Sequence, residues 1–207
     1  MNAGRPARHP LVSEASLYSC LVTRHTGRAV RTSIEEQVAG CAGEVLTVLD
    51  FRNVQVIDFS CADEIVAKLA WVAVEQRRKG GAKPTSPRRS FVLVRGLEQH
   101  HWDPIDSALR RRALAVAAER SDGKPVLLGT VDEPEARLWH LVCEYERVSP
   151  APLAGELGLP EQEARSRLDG LHRRRLVLRQ AGQYVSFRRL MVESSRRAGS
   201  RRESSLG

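Results

Sequence analysis

The first two thirds of the chain alternate between unbroken apolar runs and segments in which apolar residues recur at helical spacing. Unbroken runs are typical of strands that are buried on both faces of a sheet. They predict strands at residues 17–23, 45–49, 90–97 and 125–128, with a further short run near Val54. Helical spacing predicts helices at residues 29–40, 61–78 and 104–120, and a turn-rich loop is predicted at residues 79–90. Strands that alternate with helices predict an α/β domain.

The pattern changes after Gly129, where helices follow one another closely. Helices are predicted at residues 134–145, 152–157 and 161–174, and strands at residues 176–179 and 184–188. The two strands flank a hairpin turn, so this part has the plan of a winged helix, a small α+β domain built from a helix, a helix-turn-helix and a hairpin. We therefore predict domains at residues 12–130 and 131–190. The polar, charged ends at residues 1–11 and 191–207 are predicted to be disordered, the second as a basic tail.

Ser60 stands at the opening of the helix predicted at residues 61–78. Its hydroxyl can accept a hydrogen bond from the free N–H groups of the first turn, as an N-cap residue does. The same place suits a phosphate, because the helix dipole and those N–H groups stabilise negative charge. Ser60 is therefore either an N-cap or a phosphorylation site, and the sequence leaves both open. Asp63 and Glu64 fall in the predicted first turn, where carboxylates interact favourably with the dipole.

Residues 49–65, LDFRNVQVIDFSCADEI, carry the motif of a known family. The family pattern is LDFSGV-x-x-I-x-S-S-x-A-DE followed by a hydrophobic residue. The matching residues are Leu49, Asp50, Phe51, Val54, Ile57, Ser60, Ala62, Asp63, Glu64 and Ile65. Over roughly residues 12–130 the chain resembles the STAS-like variants of anti-sigma-factor antagonists, which implies an α/β fold. Phe59 departs from the pattern, which has a small hydroxyl residue at this position, and Cys61 stands where the antagonists have a glycine.

In anti-sigma-factor antagonists, a kinase partner phosphorylates a serine at the start of this helix, and phosphorylation breaks the complex. The resemblance implies that a regulatory protein, such as a histidine-kinase-like ATPase or an anti-sigma factor, binds this chain. The partner-binding residues that it implies are Asp58, Phe59, Ser60, Asp63 and Glu64, with Ser60 as the possible phosphosite.

Residues 153–187, LAGELGLPEQEARSRLDGLHRRRLVLRQAGQYVSF, resemble bacterial winged-helix regulators of the MarR type. The resemblance implies binding to double-stranded DNA, with the helix at residues 161–174 in the major groove. The residues predicted to contact base edges are Gln162, Arg165 and Arg167. Those predicted to contact phosphates are Arg173, Arg174, Arg175, Arg179 and Gln183.

The acidic residues of the same helix oppose DNA binding, because carboxylates repel phosphates. They are Glu161, Glu163 and Asp169, and residues 133–190 together contain ten arginines against eight acidic residues. Two functions therefore remain open for this chain. One is transcription regulation, in which the STAS-like domain binds a partner and the winged helix binds DNA. The other is a protein-interaction adaptor in a partner-switching pathway, without DNA contact.

Composition narrows the class of protein further. The chain has 207 residues and a formal net charge of +8, which permits nucleic-acid binding. Its four cysteines are widely separated and its adjacent His100 and His101 lack a third ligand, so we predict no metal site and reduced thiols in a cytoplasm. We find no bilayer-length apolar run, phosphate loop or nucleophile elbow, so we predict no membrane contact, enzyme activity or cofactor. We expect Trp71 and Trp139 to lie in the core. The sequence does not determine the oligomeric state.

Overall fold

A computed structural model describes residues 10–41, 43–75 and 89–203, with side chains described as far as residue 196. The chain divides into two compact units. The first unit comprises Met1–Glu133 and Arg174–Leu176, and the second comprises Pro134–Arg173 and Val177–Gly207. Most of the loop predicted at residues 79–90 lies outside the described residues, and its last two residues belong to a strand.

The first unit alternates strands and helices, as predicted. Its elements are β1 (Leu11–Ser16), β2 (Cys20–Leu21), α1 (Arg24–Val38), β3 (Glu44–Asp50), β4 (Val56–Ile57), α2 (Phe59–Ala62), α3 (Lys68–Glu75), β5 (Arg89–Leu97), α4 (Trp102–Arg110), β6 (Ala115–Arg120) and β7 (Pro125–Gly129). A π-helical segment, Asp63–Ala67, joins α2 to α3, and a 3-10 turn, Gln99–His101, precedes α4. The predicted α/β class is confirmed.

Five strands form the main sheet in the order β1-β3-β5-β6-β7. The first four are parallel, and β7 runs antiparallel to β6. Ala15, Leu49, Val94 and Ala118 make one row across the four parallel strands, and all four belong to the buried core. The sheet contacts α1, α3 and α4. Burial of each large apolar side chain in this core stabilises the fold by about 1.5–3 kcal/mol.

The helix predicted at residues 104–120 is wrong over its second half. The helix α4 ends at Arg110, and residues 115–120 form β6 in the sheet. Ala113 adopts a left-handed conformation (φ 52°), and the N–H of Leu114 bonds back to the carbonyl of Leu109, which turns the chain. The run of small apolar residues that follows fits a buried strand as well as a helix, and periodicity does not separate the two.

The ends of the chain also differ from the prediction. A strand was expected at residues 17–23, but β1 begins at Leu11 and only Cys20–Leu21 of the expected run forms a strand. Parallel pairing with β3 stabilises β1, whose sequence, LVSEAS, mixes apolar and polar residues. The expected disorder at residues 191–207 is also wrong as far as Glu203, because α8 (Phe187–Glu203) extends the chain as a helix. Residues 1–9 and 204–207 lie outside the described part.

The second unit contains four helices and a small sheet within its described residues. Its elements are α5 (Glu133–Tyr145, whose first residue belongs to the first unit), β8 (Arg147–Val148), α6 (Pro150–Leu157), α7 (Glu161–Arg173), β9 (Leu178–Gln180), β10 (Gln183–Val185) and α8. The strands are antiparallel in the order β8-β10-β9. Gly158 ends α6 in a left-handed conformation (φ 63°), which glycine adopts without strain. Leu153, Leu168 and Tyr184 are fully buried at the centre of the unit.

The two tryptophans behave differently from each other. Trp139 is buried, with 3% of its surface exposed, as predicted. Trp71 on α3 is 43% exposed, so its assignment to the core is wrong. Within the described residues, none of the helices has the length and apolar character required to span a membrane.

Candidate functional site

The helix that carries Ser60 begins earlier than predicted and has a different cap. Asp58 is the N-cap of α2, and its carboxylate accepts a hydrogen bond from the N–H of Cys61 at 2.8 Å. The Ser60 hydroxyl donates to both carboxylate oxygens of Asp58, at 2.9 and 3.0 Å. The interpretation of Ser60 as the N-cap is therefore wrong, because the carboxylate two residues earlier takes that place. Ser60 remains half-buried in the first turn of α2.

Asp63 and Glu64 lie inside the π-helical segment and are almost fully buried, with 4% and 0% of their surface exposed. Arg24 reaches both carboxylates, at 3.2 Å from Asp63 and 2.9 Å from Glu64. Arg112 adds a contact of 2.8 Å to Asp63, and Lys68 adds one of 2.5 Å to Glu64. The prediction that Asp63 and Glu64 bind a partner protein is therefore wrong, because both carboxylates are buried and paired within the chain.

The cations around these carboxylates keep them ionised. Burial alone raises the pKa of Asp63, but hydrogen bonds from Arg112 and Arg24 outweigh it, so the pKa lies below its usual value. The pKa of Glu64 is lowered in the same way, with burial opposed by Lys68 and Arg24. The sequence places Arg24 at the start of α1, but the spacing of Arg112, the last of three consecutive arginines, gives no indication that it pairs with Asp63.

Helix α1 approaches the π-helical segment very closely at Gly27. A Cβ at this position would lie 2.9 Å from the Cβ of Glu64 and 3.0 Å from the Cα of Cys61. The thiol of Cys61 donates to the carbonyl oxygen of Thr23 at 2.9 Å, just before α1 begins. The close contact brings Arg24 within reach of Asp63 and Glu64.

Beside the start of α2 lies an exposed apolar surface on the small sheet formed by β2 and β4, called here the β2–β4 ribbon. Cys20 pairs with Val56 and Leu21 pairs with Ile57. Leu21 and Ile57 are buried, whereas Val22 and Val56 are 45% and 49% exposed. Tyr18, two residues before β2, is 70% exposed. Exposed apolar side chains that cluster in this way are typical of protein-interaction surfaces.

A second cluster of charges occupies the carboxyl end of β3. Arg52 donates to both oxygens of Asp50, and Arg95 donates to the same carboxylate at 3.1 Å. The arginine side chains, Arg52 first, hold the pKa of Asp50 at about 2. A cavity of about 360 Å³ lies alongside Arg52, Arg95 and Arg120. Arg120 is itself 3.5 Å from Asp122, so each of the three arginines has a carboxylate neighbour.

His101 is buried in the 3-10 turn before α4 and has two hydrogen-bond partners. Its Nε2 contacts the carbonyl oxygen of Val54 at 2.9 Å, and its Nδ1 accepts from the N–H of Glu98 at 3.1 Å. These contacts fit a neutral ring, and burial lowers the pKa of His101. Among the described residues, no group of histidine, cysteine and acidic side chains is arranged to hold a metal ion.

The predicted base-contacting residues lie on one helix, α7. Ala164, Leu168 and Leu171 face the interior of the second unit, while Gln162 and Arg167 are exposed and Arg165 is partly exposed. Each arginine pairs with a carboxylate one turn earlier. Arg165 lies 2.9 Å from Glu161, and Arg167 lies 2.5 Å from Glu163.

The predicted phosphate-contacting residues do not form one group. Arg173 at the end of α7 is exposed. Arg174 donates to the carbonyl oxygen of Thr130, and both belong to the first unit. Arg175, also in the first unit, is only 5% exposed and donates to the carbonyl oxygen of Ala73 at 3.0 Å. The prediction that Arg175 contacts phosphate is therefore wrong, because its guanidinium is buried.

The remaining two phosphate candidates lie in the hairpin of β9 and β10. Arg179 lies 3.3 Å from Asp169 of α7, and its guanidinium covers the ring of Tyr184. The Tyr184 hydroxyl donates to Asp169 at 2.7 Å. Burial, and then the bond to Asp169, raises the pKa of Tyr184 to about 12. Asp169 and Tyr184, which the sequence did not indicate as a pair, thus fix the hairpin to α7. The side-chain oxygen of Gln183 accepts a hydrogen bond from Arg147.

Two comparisons of the sequence with known proteins identified no relative of this chain. The chain matches no protein-family model, and a search of curated proteins returned no match.

Proposed function

We propose that the protein is a transcriptional regulator that binds double-stranded DNA through its second unit and a regulatory protein through its first. In this proposal the second unit is a winged helix, α7 lies in the major groove, and the hairpin of β9 and β10 is the wing. The first unit is a STAS-like domain that binds its partner beside Ser60.

The observation that carries the proposal is the order of elements in the second unit. Helices α6 and α7 are joined by a tight turn at residues 158–160, and the β9–β10 hairpin follows α7. The short strand β8 pairs with β10 and completes a three-stranded sheet. A helix-turn-helix of this kind presents its second helix to the major groove, with the N-terminal residues of that helix nearest the bases. In α7 those residues include Gln162 and Arg165.

The ion pairs on α7 are weak enough to be exchanged for DNA contacts. Exposed pairs four residues apart on a helix contribute only about 0.2–0.5 kcal/mol. A good bidentate contact between an arginine and a guanine contributes about 1–3 kcal/mol of discrimination. Contacts with a matching base pair therefore contribute more free energy to Arg165 and Arg167 than their ion pairs with Glu161 and Glu163 do. Arg173, Arg179 and Gln183 supply phosphate contacts in this proposal, and Arg175 does not.

For the first unit, support comes from the surface at the start of α2. Phe59 and Ser60 are half-buried there, and the exposed Arg111 lies over the Phe59 ring, 5.8 Å from its centroid. The β2–β4 ribbon adds apolar side chains beside them. Phosphorylation of Ser60 would place nearly two negative charges next to the Asp58 carboxylate. The added charge would replace the Ser60–Asp58 hydrogen bond with repulsion and change the surface that a partner meets.

Fluorescence anisotropy of the full chain with labelled DNA tests the DNA proposal. Duplexes that bind best are first selected from a random pool at low salt. Replacement of Arg165 and Arg167 by alanine should then weaken binding to the selected duplex, with a loss of about 1–3 kcal/mol for each lost base contact. Arg179→Ala should weaken binding to all sequences alike and flatten the salt dependence. A wild-type protein that retains no duplex at low salt would contradict the proposal.

A protein-interaction adaptor without DNA contact is the second candidate. It is favoured by the carboxylates on α7, which lie beside each arginine that would face DNA. The adaptor predicts that the regulatory partner binds the full chain, while Arg165→Ala and Arg167→Ala leave every measured interaction unchanged. Ser60→Asp should reduce partner binding for both candidate functions, so only the arginine variants distinguish a DNA-binding regulator from an adaptor.

A further inference from the structure

Three arginines on the proposed DNA-binding face are each held by a carboxylate of the same unit. The pairs are Arg165 with Glu161 at 2.9 Å, Arg167 with Glu163 at 2.5 Å and Arg179 with Asp169 at 3.3 Å. The first two pairs have the carboxylate four residues before the arginine, which is the favourable order in a helix. All six side chains are at least one third exposed, so water and ions reach them.

We propose that Glu161 and Glu163 are specificity-determining residues, which rests on the proposed DNA binding. They lower the affinity for DNA of arbitrary sequence and release Arg165 and Arg167 only where base edges replace the carboxylates. Both acids lie in the first turn of α7, the end of the helix that is nearest the bases in the proposed complex.

Binding to DNA of arbitrary sequence is driven by counterion release. Each arginine that neutralises a phosphate releases condensed cations from DNA, and this release supplies nearly all of the non-specific affinity. An arginine that already has a carboxylate neighbour neutralises that carboxylate instead. The carboxylate also repels the phosphates nearby. Arg165 and Arg167 therefore contribute little to binding at a site that offers only phosphates.

Binding to a matching DNA sequence depends on the geometry of the base edges. Guanine presents two acceptors in the major groove that fit the planar guanidinium, as a carboxylate does. A well-placed arginine discriminates against the wrong base by roughly fivefold to 150-fold. At such a site the arginine exchanges one bidentate acceptor for another. The carboxylates then return to water, which is possible because Glu161 and Glu163 are about half exposed.

The test is a double variant, Glu161→Gln with Glu163→Gln, which keeps the size of both side chains and removes both negative charges. The matched control is Glu133→Gln with Glu144→Gln. These two acids are exposed on α5, outside the proposed helix-turn-helix, so the control changes the net charge of the chain by the same amount at another place. Circular dichroism verifies that both variants are folded.

The probe is a random-sequence duplex, measured by fluorescence anisotropy from about 50 to 200 mM salt. At the low-salt end we expect the test variant to bind this duplex about tenfold more tightly than wild type. We also expect a steeper salt dependence, by up to about two released cations, since each freed arginine adds one phosphate contact. The control should stay within about twofold of wild type in affinity and keep its slope. Arg165→Ala with Arg167→Ala, added to the test variant, should return the slope to the wild-type value.

A duplex selected with wild-type protein supplies the second readout. Its affinity should change less than that of the random duplex, so the ratio of specific to non-specific binding falls in the test variant. The proposal is overturned by a test variant with wild-type affinity and slope, or by a control that gains as much. A test variant that binds the random duplex while wild type does not supports it. If neither protein binds any duplex at low salt, the proposed DNA binding itself fails, and the inference with it.

Discussion

Pairs of arginine and carboxylate occur in both units, but their surroundings differ. Glu64 in the first unit is fully buried and contacts Arg24 and Lys68. Glu161 in the second unit pairs with one arginine and is 53% exposed. A buried carboxylate that loses its partners stays desolvated, whereas an exposed one returns to water. The same chemistry therefore holds the fold together in the first unit and stays exchangeable in the second.

The strongest test of this contrast is to neutralise one carboxylate in each unit. Glu64→Gln leaves the cations around the π-helical segment without a charged partner, and the unfolding free energy should fall by about 3 kcal/mol. Glu161→Gln should lower it by no more than about 0.5 kcal/mol. Urea unfolding of the two full-length variants measures both values. Similar losses in the two variants would remove the contrast.

Acid unfolding tests a cluster of intermediate exposure. The pKa of Asp50 is lowered to about 2, so its contribution to stability is present above about pH 4 and is lost as the pH falls towards 2. The expected contribution is about 1–2 kcal/mol, less than the full shift implies because the Arg52 side chain is 65% exposed. In Asp50→Asn this part of the pH dependence should disappear. An unchanged difference in stability between pH 5 and pH 2 would show that Asp50 is not responsible.

At the start of α2, the capping residue Asp58 and its neighbour Ser60 should differ in their effect on stability. Asp58→Ala removes the cap from the N–H of Cys61 and should lower the unfolding free energy by about 1 kcal/mol. Ser60→Ala removes only the donor to Asp58 and should cost less than half of that. Thermal unfolding of the two variants compares them. A larger loss from Ser60→Ala would restore Ser60 as the main capping residue.

The smallest expected effect on stability is at Arg167. Arg167→Ala breaks an exposed pair and should change the unfolding free energy by about 0.3 kcal/mol. The same variant should lose affinity for the selected duplex, so stability and binding separate at this position. A large loss of stability would mean that the pair with Glu163 is structural, like the pairs of Glu64.

Most elements could be predicted from the sequence, because apolar periodicity records which side of a segment is buried. The strand at residues 45–49 and the helix at residues 161–174 were found within one residue of their observed ends. The pattern failed at residues 115–120, where every side chain is small or apolar until Glu119 and both faces of the strand suit a helix equally. It failed again at β1, whose mixed sequence, LVSEAS, lacks the continuous apolar run of the other strands and pairs in parallel with β3.

The charges of the candidate site were harder to predict than its location. The sequence singles out Ser60 from its place after a strand, and α7 from its place in a predicted helix-turn-helix. The partners of Asp63 come from α1 and from the residues after α4, which are 39 and 49 positions away. Sequence spacing carries no information about such contacts. By contrast, the pairs on α7 are four positions apart and are visible in the sequence once the helix is known.

The π-helical segment also absorbs one residue between α2 and α3. A π-helical turn contains one residue more than the corresponding α-helical turn. Deletion of a single residue from Asp63–Ala67 would let one regular helix form, and α3 would keep nearly the same orientation relative to α2 because only the extra residue of the wide turn is lost. A deletion within α3 would instead rotate the following residues by about 100° and move Ala73 from the face on which it is now buried. Related chains should therefore differ in length at Asp63–Ala67 more readily than within α3.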